Sequence, residues 1–152
     1  MTPSEKLQAM GITLPDLPKP LGSYVPFVRT GNLVFISGML PLAGGKLTAA
    51  GRVGNEVALE QAVQAARIAA INGLAVLNAA IGGLDRVARC VKLTGYVASA
   101  QDFSDQPKVV NGASDLLVEV LGDAGTHARV AVGVPILPMN APVEIELIFE
   151  VS

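Results

Sequence analysis

The segment from Val57 to Ile81 constrains the fold more than any other part of the chain, because its apolar residues repeat with the period of an α-helix. Its length would also suit a membrane span, but Glu60, Gln61 and Arg67 interrupt it, and hydrocarbon tolerates such groups poorly. We therefore predict a long helix of a soluble protein, ended by the two glycines that follow. The apolar positions that carry the period are Leu59, Val63, Ala66, Ala70, Leu74, Leu77 and Ile81.

Three further segments after this helix have clear patterns. Arg86 to Ala98 is rich in β-branched residues that alternate with other residues, which is typical of a strand. Asp105 to Leu121 has a helical apolar stripe and is followed by a glycine, so we predict a second amphipathic helix. The last quarter of the chain contains two apolar runs, Val130–Val134 and Val143–Val151, which we predict to be strands separated by a proline-bounded turn.

The N-terminal part divides into an extension and a hairpin. Residues 1–21 are predicted to form the extension, with a short helix over Pro3–Met10 and a proline-rich crossing on the surface. Two apolar runs, Pro26–Thr30 and Leu33–Ser37, then flank the Gly31-Asn32 pair, which indicates a tight β-hairpin. Residues 22–152 are predicted to form a single domain.

This order of elements predicts an α+β sandwich in which two helices cover one face of a mixed sheet. No helix remains to cover the other face. The chain is also 51% apolar, with 16 glycines and only 16% charged residues, which is rich for a small monomer. Packing of the uncovered face against other copies would explain this excess, so we predict a homo-oligomer.

Composition disfavours several classes of function. The net charge is −2, neither sign forms a run, and tryptophan is absent, so nucleic-acid binding is disfavoured. One histidine, His127, and one cysteine, Cys90, are too few for a dedicated zinc or iron site or for Ser–His–Asp or Cys–His catalysis. The single cysteine and the lack of a signal pattern at the N-terminus predict a cytoplasmic protein.

Arg129 stands at the start of a strand of small apolar residues. Its guanidinium stays charged and must either reach water or meet an anion. If the side chain faces a cleft, the planar guanidinium can bind a carboxylate through two parallel hydrogen bonds. If it does not, it extends to solvent from the strand end.

The other polar residues in apolar surroundings each have a structural explanation. Tyr24 is consistent with the core edge, Ser37 with a strand end, and Asn111 with a helix surface. Glu144 shares one face of the last strand with another glutamate, and such a face is commonly solvated. His127 is interpreted as a solvated loop residue. Taken together, these residues indicate a function only through the sequence motifs in which they lie.

Three blocks in the right order resemble the Rid (YjgF-like) family of reactive-intermediate deaminases, formerly labelled L-PSP endoribonucleases. The blocks are Gly22–Val25 with Gly31–Pro41, then Asp85–Val97 with Asp102, Phe103 and Asn111, and finally Ala128–Arg129, Pro138 and Val143–Glu146. The resemblance implies a chorismate-mutase-like sandwich that assembles as a homotrimer with a central barrel and clefts between subunits. It also implies hydrolysis of enamines and imines, such as 2-aminoacrylate and 2-imino acids, to 2-keto acids and ammonia, without a cofactor.

The resemblance also implies a role for each matching residue. Arg129 would bind the substrate carboxylate, and Glu144 would orient or activate the attacking water. The residues implied to shape the cleft or contact the reacting end are Tyr24, Ser37, Asn111, Val130 and Ala131. The chain departs from the common pattern at Met39, where glutamine is usual, and at Ala131, where many deaminases carry cysteine. The N-terminal extension and an altered loop, Pro135–Pro142, are expected to reshape the cleft. These departures bear on the identity of the substrate and, to a lesser degree, on activity.

Three alternatives remain. A non-catalytic trimer that binds small carboxylates, as a sensor or regulator, would use the same Arg129. A ribonuclease is disfavoured by the absence of a histidine pair and of a basic surface. A chorismate-mutase-like isomerase would need several cationic residues around a dianion, and the sequence offers one clear arginine.

Overall fold

The computed structural model describes residues 1–16 and 22–152 of the chain. Most of the proline-rich crossing predicted between Pro15 and Pro20 lies outside these residues. The helices are α1 (Pro3–Ala9), α2 (Leu59–Ile81) and α3 (Gln106–Leu121). The strands are β1 (Phe27–Thr30), β2 (Leu33–Met39), β3 (Leu42–Ala43), β4 (Lys46–Leu47), β5 (Val87–Ala98), β6 (Ala128–Val134) and β7 (Val143–Val151). The predicted helices and strands are confirmed to within two residues at nearly every end.

The main sheet has five strands in the order β1-β2-β7-β5-β6. β1 and β2 form the predicted hairpin, and Gly31 in its turn has a φ of 59°, which glycine adopts without strain. β5 and β6 are parallel and are connected through α3, whereas the other pairs are antiparallel. The sheet is therefore mixed, as the sequence predicts, and β6 forms one of its edges.

α2 is the central core helix. Its first turn is closed by the Gln61 side chain, which accepts a hydrogen bond from the Ala58 backbone N–H at 3.0 Å, and Gly82 ends it with a φ of 74°. On length and composition alone α2 could cross a membrane, but 56% of its most apolar window is buried inside the fold. Burial against α3 and the sheet accounts for its apolar character.

α2 and α3 cross very closely at Gly112. A Cβ atom at Gly112 would lie 2.9 Å from the carbonyl carbon and 3.1 Å from Cγ1 of Val63. Only glycine permits this approach, which sets the position of α3 over the sheet. Because Asn111 precedes Gly112, this crossing also places the polar side of α3 over β6.

The two faces of the sheet differ in what covers them. The alternating residues of β7 that point toward the helices are fully buried, from Val143 to Val151. On the opposite face no helix of residues 1–16 or 22–152 packs against the strands. Large apolar side chains are exposed there: Val28 (54%), Phe35 (39%), Val130 (40%) and Val132 (39%). We call this the open face.

Candidate functional site

Arg129 lies at the second position of β6, where it is paired with Leu93 of β5 and points toward α3. Its Nη1 donates hydrogen bonds to Asn111 Oδ1 at 2.7 Å and to Ser114 Oγ at 3.3 Å. Among the described residues, Nε and Nη2 of Arg129 have no hydrogen-bond or ion-pair partner. The guanidinium is thus held at one nitrogen, and its Nε–Nη2 edge can bind a carboxylate with two hydrogen bonds.

His127 and Ser114 extend this group, and sequence reasoning did not identify either. His127 Nε2 lies 2.9 Å from Ser114 Oγ, and His127 Nδ1 lies 2.6 Å from the Gly125 carbonyl oxygen. The interpretation of His127 as a solvated loop residue is therefore wrong. Both ring nitrogens bond within the protein, because the turn at Gly122–Gly125 brings the ring back against α3.

Glu144 lies on the open face at the start of β7, opposite Tyr96 of β5. Its carboxylate packs against the backbone of Gly38, where a Cβ atom would lie 2.9 Å from Glu144 Cδ and closer still to Oε2. Partial burial, and to a lesser degree the negative charge of Glu146, raises the pKa of Glu144 above its usual range. A raised pKa favours the protonated carboxyl group, which is the form that can donate a proton to a bound molecule.

Tyr96 lies on the open face beside Glu144 and Glu146. Its hydroxyl donates a hydrogen bond to Glu146 Oε1 at 3.1 Å. Burial, this hydrogen bond and the charges of Glu146 and Glu144 together raise the pKa of Tyr96, so the phenol keeps its proton.

Ser37 lies in β2, and Tyr24 lies in the segment before β1. Ser37 Oγ donates a 2.6 Å hydrogen bond to the Val25 carbonyl and thereby fixes the segment before β1 to β2. Ser37 also precedes Gly38, whose backbone contacts the Glu144 carboxylate. The Tyr24 ring is 58% exposed and available to contact a ligand or another chain.

One protomer therefore brings the candidate residues together in two separate groups. Arg129 and Asn111 meet on the helix-covered face, at the edge strand β6. Ser37 and Glu144 belong to the open face, between β2 and β7. β6 itself is divided, because Val130 faces the open side while its neighbour Ala131 faces the helices.

The Met39 side chain points away from the open face. Its Cγ is 3.7 Å from the Cβ position of Gly73 in α2, so the side chain packs between β2 and the core helix. The β2 register turns this side chain toward the core, so the bearing of the Met39 departure on substrate identity stays a prediction. Within the described ranges no three His, Cys, Asp or Glu residues are grouped to hold a metal ion.

The chain matches, over residues 4–151, the family model described as "YjgF/chorismate_mutase-like, putative endoribonuclease". It belongs to the YjgF-like family, as the sequence motifs predict, and its mixed α+β fold is that of the family. Protein TCP17 of Trypanosoma cruzi is 42% identical over 149 residues, covering 96% of this chain and 92% of that protein.

Solved structures of relatives have the same fold. The protein Atu1372 of Agrobacterium tumefaciens is 44% identical, with a TM-score of 0.92 over 99% of this chain and 92% of its own. A "putative endoribonuclease" of Shewanella oneidensis is 34% identical, with a TM-score of 0.96 over 99% of this chain and all of its own. TdcF of E. coli, solved with bound serine, is 27% identical, with a TM-score of 0.65 over 89% and 93% of the two chains. RidA of a Psychrobacter species is 29% identical, with a TM-score of 0.61 over 88% and 93%.

Proposed function

We propose that this protein hydrolyses 2-aminoacrylate and related 2-imino acids to 2-keto acids and ammonia. The observation that carries the proposal is the state of Arg129, whose Nη1 is anchored by Asn111 while its Nε–Nη2 edge is open. A 2-imino acid presents a carboxylate beside the reactive carbon. Binding of that carboxylate by the open edge fixes the position of the carbon to be attacked.

The reaction then needs a proton carrier more than a strong nucleophile. 2-Aminoacrylate first tautomerises to its imine. A water molecule then adds to C2 of the imine while one of its protons passes to the nitrogen, which gives a carbinolamine. The hydroxyl proton of the carbinolamine passes to the nitrogen as well, the C–N bond breaks, ammonia leaves and C2 becomes the ketone. Glu144 accepts a proton from the water and returns one to the nitrogen. Partial burial raises its pKa, which favours the protonated form that returns a proton to the nitrogen.

The proposal requires more than one copy of the chain. Arg129 and Glu144 belong to opposite faces of one sheet, so a small substrate that contacts both must lie between neighbouring protomers. We propose the homotrimer that the sequence resemblance implies, with the open face inside the assembly. Its exposed residues Phe35, Val130 and Val132 favour this arrangement, since an apolar face of this kind is typical of subunit contacts.

The test is keto-acid release from imines generated in situ by an amino-acid oxidase, starting with 2-iminopropionate. We expect the protein to accelerate release over spontaneous hydrolysis, and Arg129→Ala to abolish the acceleration without changing the sedimentation coefficient. Arg29→Ala is the matched control, because it removes an exposed arginine from β1, where its partner Val34 faces the core and not the open face. Equal rates for Arg129→Ala and the unmodified protein would reject the assignment of Arg129.

A binding protein without turnover is the second candidate. One observation favours it: TdcF, a structural relative, was solved with serine bound, and serine carries the same carboxylate. Equilibrium binding of pyruvate and serine, measured beside turnover, separates the two functions. Arg129-dependent binding with no acceleration of imine hydrolysis would establish the sensor.

A further inference from the structure

The hydrogen bonds around His127 fix its tautomer. The Gly125 carbonyl can only accept, so the ring nitrogen facing it at 2.6 Å, Nδ1, must carry a proton. In a neutral ring Nε2 is then an acceptor, and the hydroxyl of Ser114, 2.9 Å away, donates to it. With its proton committed to His127, Ser114 presents its lone pairs to Arg129 Nη1.

We infer that Ser114 and His127 are positioning residues for Arg129, acting as a relay that runs from Gly125 through His127 and Ser114 to the guanidinium. This inference rests on the proposed function, because it assigns the relay to the group that binds the substrate carboxylate. Asn111 alone would leave the guanidinium free to rotate about a single hydrogen bond. The second contact, to Ser114, fixes its plane and hence the direction of the Nε–Nη2 edge.

The placement of the relay argues against a role in packing alone. Ser114 and His127 are both only partly buried and lie outside the buried hydrophobic core. The relay instead joins three parts of the fold that meet at the N-terminal end of β6: α3, the turn at Gly122–Gly125, and β6 itself. α3 supplies Ser114, the turn supplies Gly125, β6 supplies Arg129, and His127 lies between the turn and β6, so the direction of Arg129 depends on all three parts.

The first test needs no activity. The chain has one histidine, so ¹⁵N-histidine labelling gives one pair of ring signals without assignment. At a pH where the ring is neutral we expect the Nδ1–H tautomer. We also expect the order parameter of the Arg129 Nε–H bond to fall in Ser114→Ala and His127→Phe, the latter keeping the ring shape without its nitrogens. Thr126→Val is the control, because it removes a neighbouring hydroxyl that bonds only to Asp123.

The second test is kinetic. We expect KM for 2-iminopropionate and Kd for pyruvate to rise about tenfold in Ser114→Ala and His127→Phe, the effect of one lost hydrogen bond to a charged group. The change in kcat is expected to be smaller. Ser114→Thr, which keeps the hydroxyl, and His127→Gln, which keeps an acceptor, should recover most of the affinity, and Thr126→Val should leave it unchanged.

The outcomes separate the two proposals. An Nε2–H tautomer, or an Arg129 order parameter that is the same in all variants, overturns the relay. Turnover and pyruvate binding that are normal in both Ser114→Ala and His127→Phe overturn it as well, and leave the proposed function standing. If the unmodified protein neither turns over imines nor binds pyruvate, the proposed function fails. The relay can still be judged in that case, because the His127 tautomer and the Arg129 order parameter are measured without activity.

Discussion

Arg129 and Glu144 lie on opposite faces of the same sheet. Arg129 is paired with Leu93, and both point toward α3, whereas Glu144 is paired with Tyr96 on the open face. The two residues that sequence reasoning assigns to one reaction therefore cannot touch one small molecule within a single protomer. A site that uses both must be built from two copies, so the proposed function requires the proposed assembly.

Assembly can be tested by placing a charge on the open face. Val132→Asp should dissociate the proposed trimer and abolish turnover, because a carboxylate buried in an apolar contact has no partner. Val118→Asp is the matched control: Val118 is similarly exposed (41% against 39%) but lies on α3. Sedimentation velocity gives the mass. Two variants that sediment alike would show that the open face is not the contact.

Gly38 should be required for the position of the Glu144 carboxyl. A methyl group at Gly38 would overlap that carboxyl, and Gly38→Ala should push it away from β2. Because misplacement by about 1 Å can cost about a hundredfold in rate, we expect kcat to fall by tenfold or more with little loss of stability. Activity assays and thermal melts measure both. Adding Glu144→Asp, which shortens the side chain, should restore part of kcat; normal activity in Gly38→Ala would contradict the prediction.

Glu144 should make stability depend on pH. Since the fold raises the pKa of this carboxyl, its contribution is fully present below the ordinary carboxyl pKa and is lost as pH rises through the raised value. Glu144→Gln removes the ionisation. The variant should therefore exceed the unmodified protein in free energy of unfolding at neutral pH and approach it in acid. Urea unfolding between about pH 4 and pH 8 checks this sign, and a variant that is less stable at neutral pH would refute it.

Gly112 should be needed for the crossing of α2 and α3. Gly112→Ala places a methyl group 2.9 Å from a backbone carbonyl carbon that cannot move without shifting α2. We expect a loss of about 1–3 kcal/mol, the usual cost of overpacking. Lys108→Ala, on the exposed part of α3, should change stability by less than about 0.5 kcal/mol. Chemical unfolding of both variants gives the comparison, and equal stabilities would show that the crossing can relax.

Cys90 should be unreactive in the folded protein. The side chain is 0% exposed, and burial raises the pKa of its thiol to about 12, so almost no thiolate is present or accessible at neutral pH. Iodoacetamide at pH 8 should modify it only after denaturation. Mass spectrometry measures the modification, and rapid labelling of the native protein would show that β5 opens locally.

The sequence predicts the helices and strands well because their patterns are local. The period from Leu59 to Ile81 gives α2, and the prediction begins two residues early, at Val57, because Val57 is apolar but instead bridges Val53. Alternation predicts the side of the sheet for regular strands such as β7, and it fails at the irregularity in β2. The uncovered face of the sheet could be inferred as well, since the sequence predicts only enough helices to cover one face.

The site was harder to predict, because it depends on packing between distant segments. Ser114 looks like any polar residue of an amphipathic helix, and His127 like any residue of a glycine-containing loop. Their meeting with Arg129 is set by the register of β6 on β5 and by the angle of α3, which Gly112 fixes. Neither the register nor the helix angle can be predicted from a local sequence pattern. The same dependence explains Met39, whose direction follows from the irregularity in the pairing of β2 with β7.

β7 lies in the middle of the sheet, between β2 and β5, although Val143–Val151 is its last strand in chain order. During synthesis the β1–β2 hairpin and the β5–α3–β6 unit are therefore complete before the strand that joins them has been made. Until it arrives, each half exposes an unpaired strand edge beside an apolar face, a combination that promotes aggregation. Pairing across the whole sheet therefore requires residues 143–151, and without them neither half can reach the other.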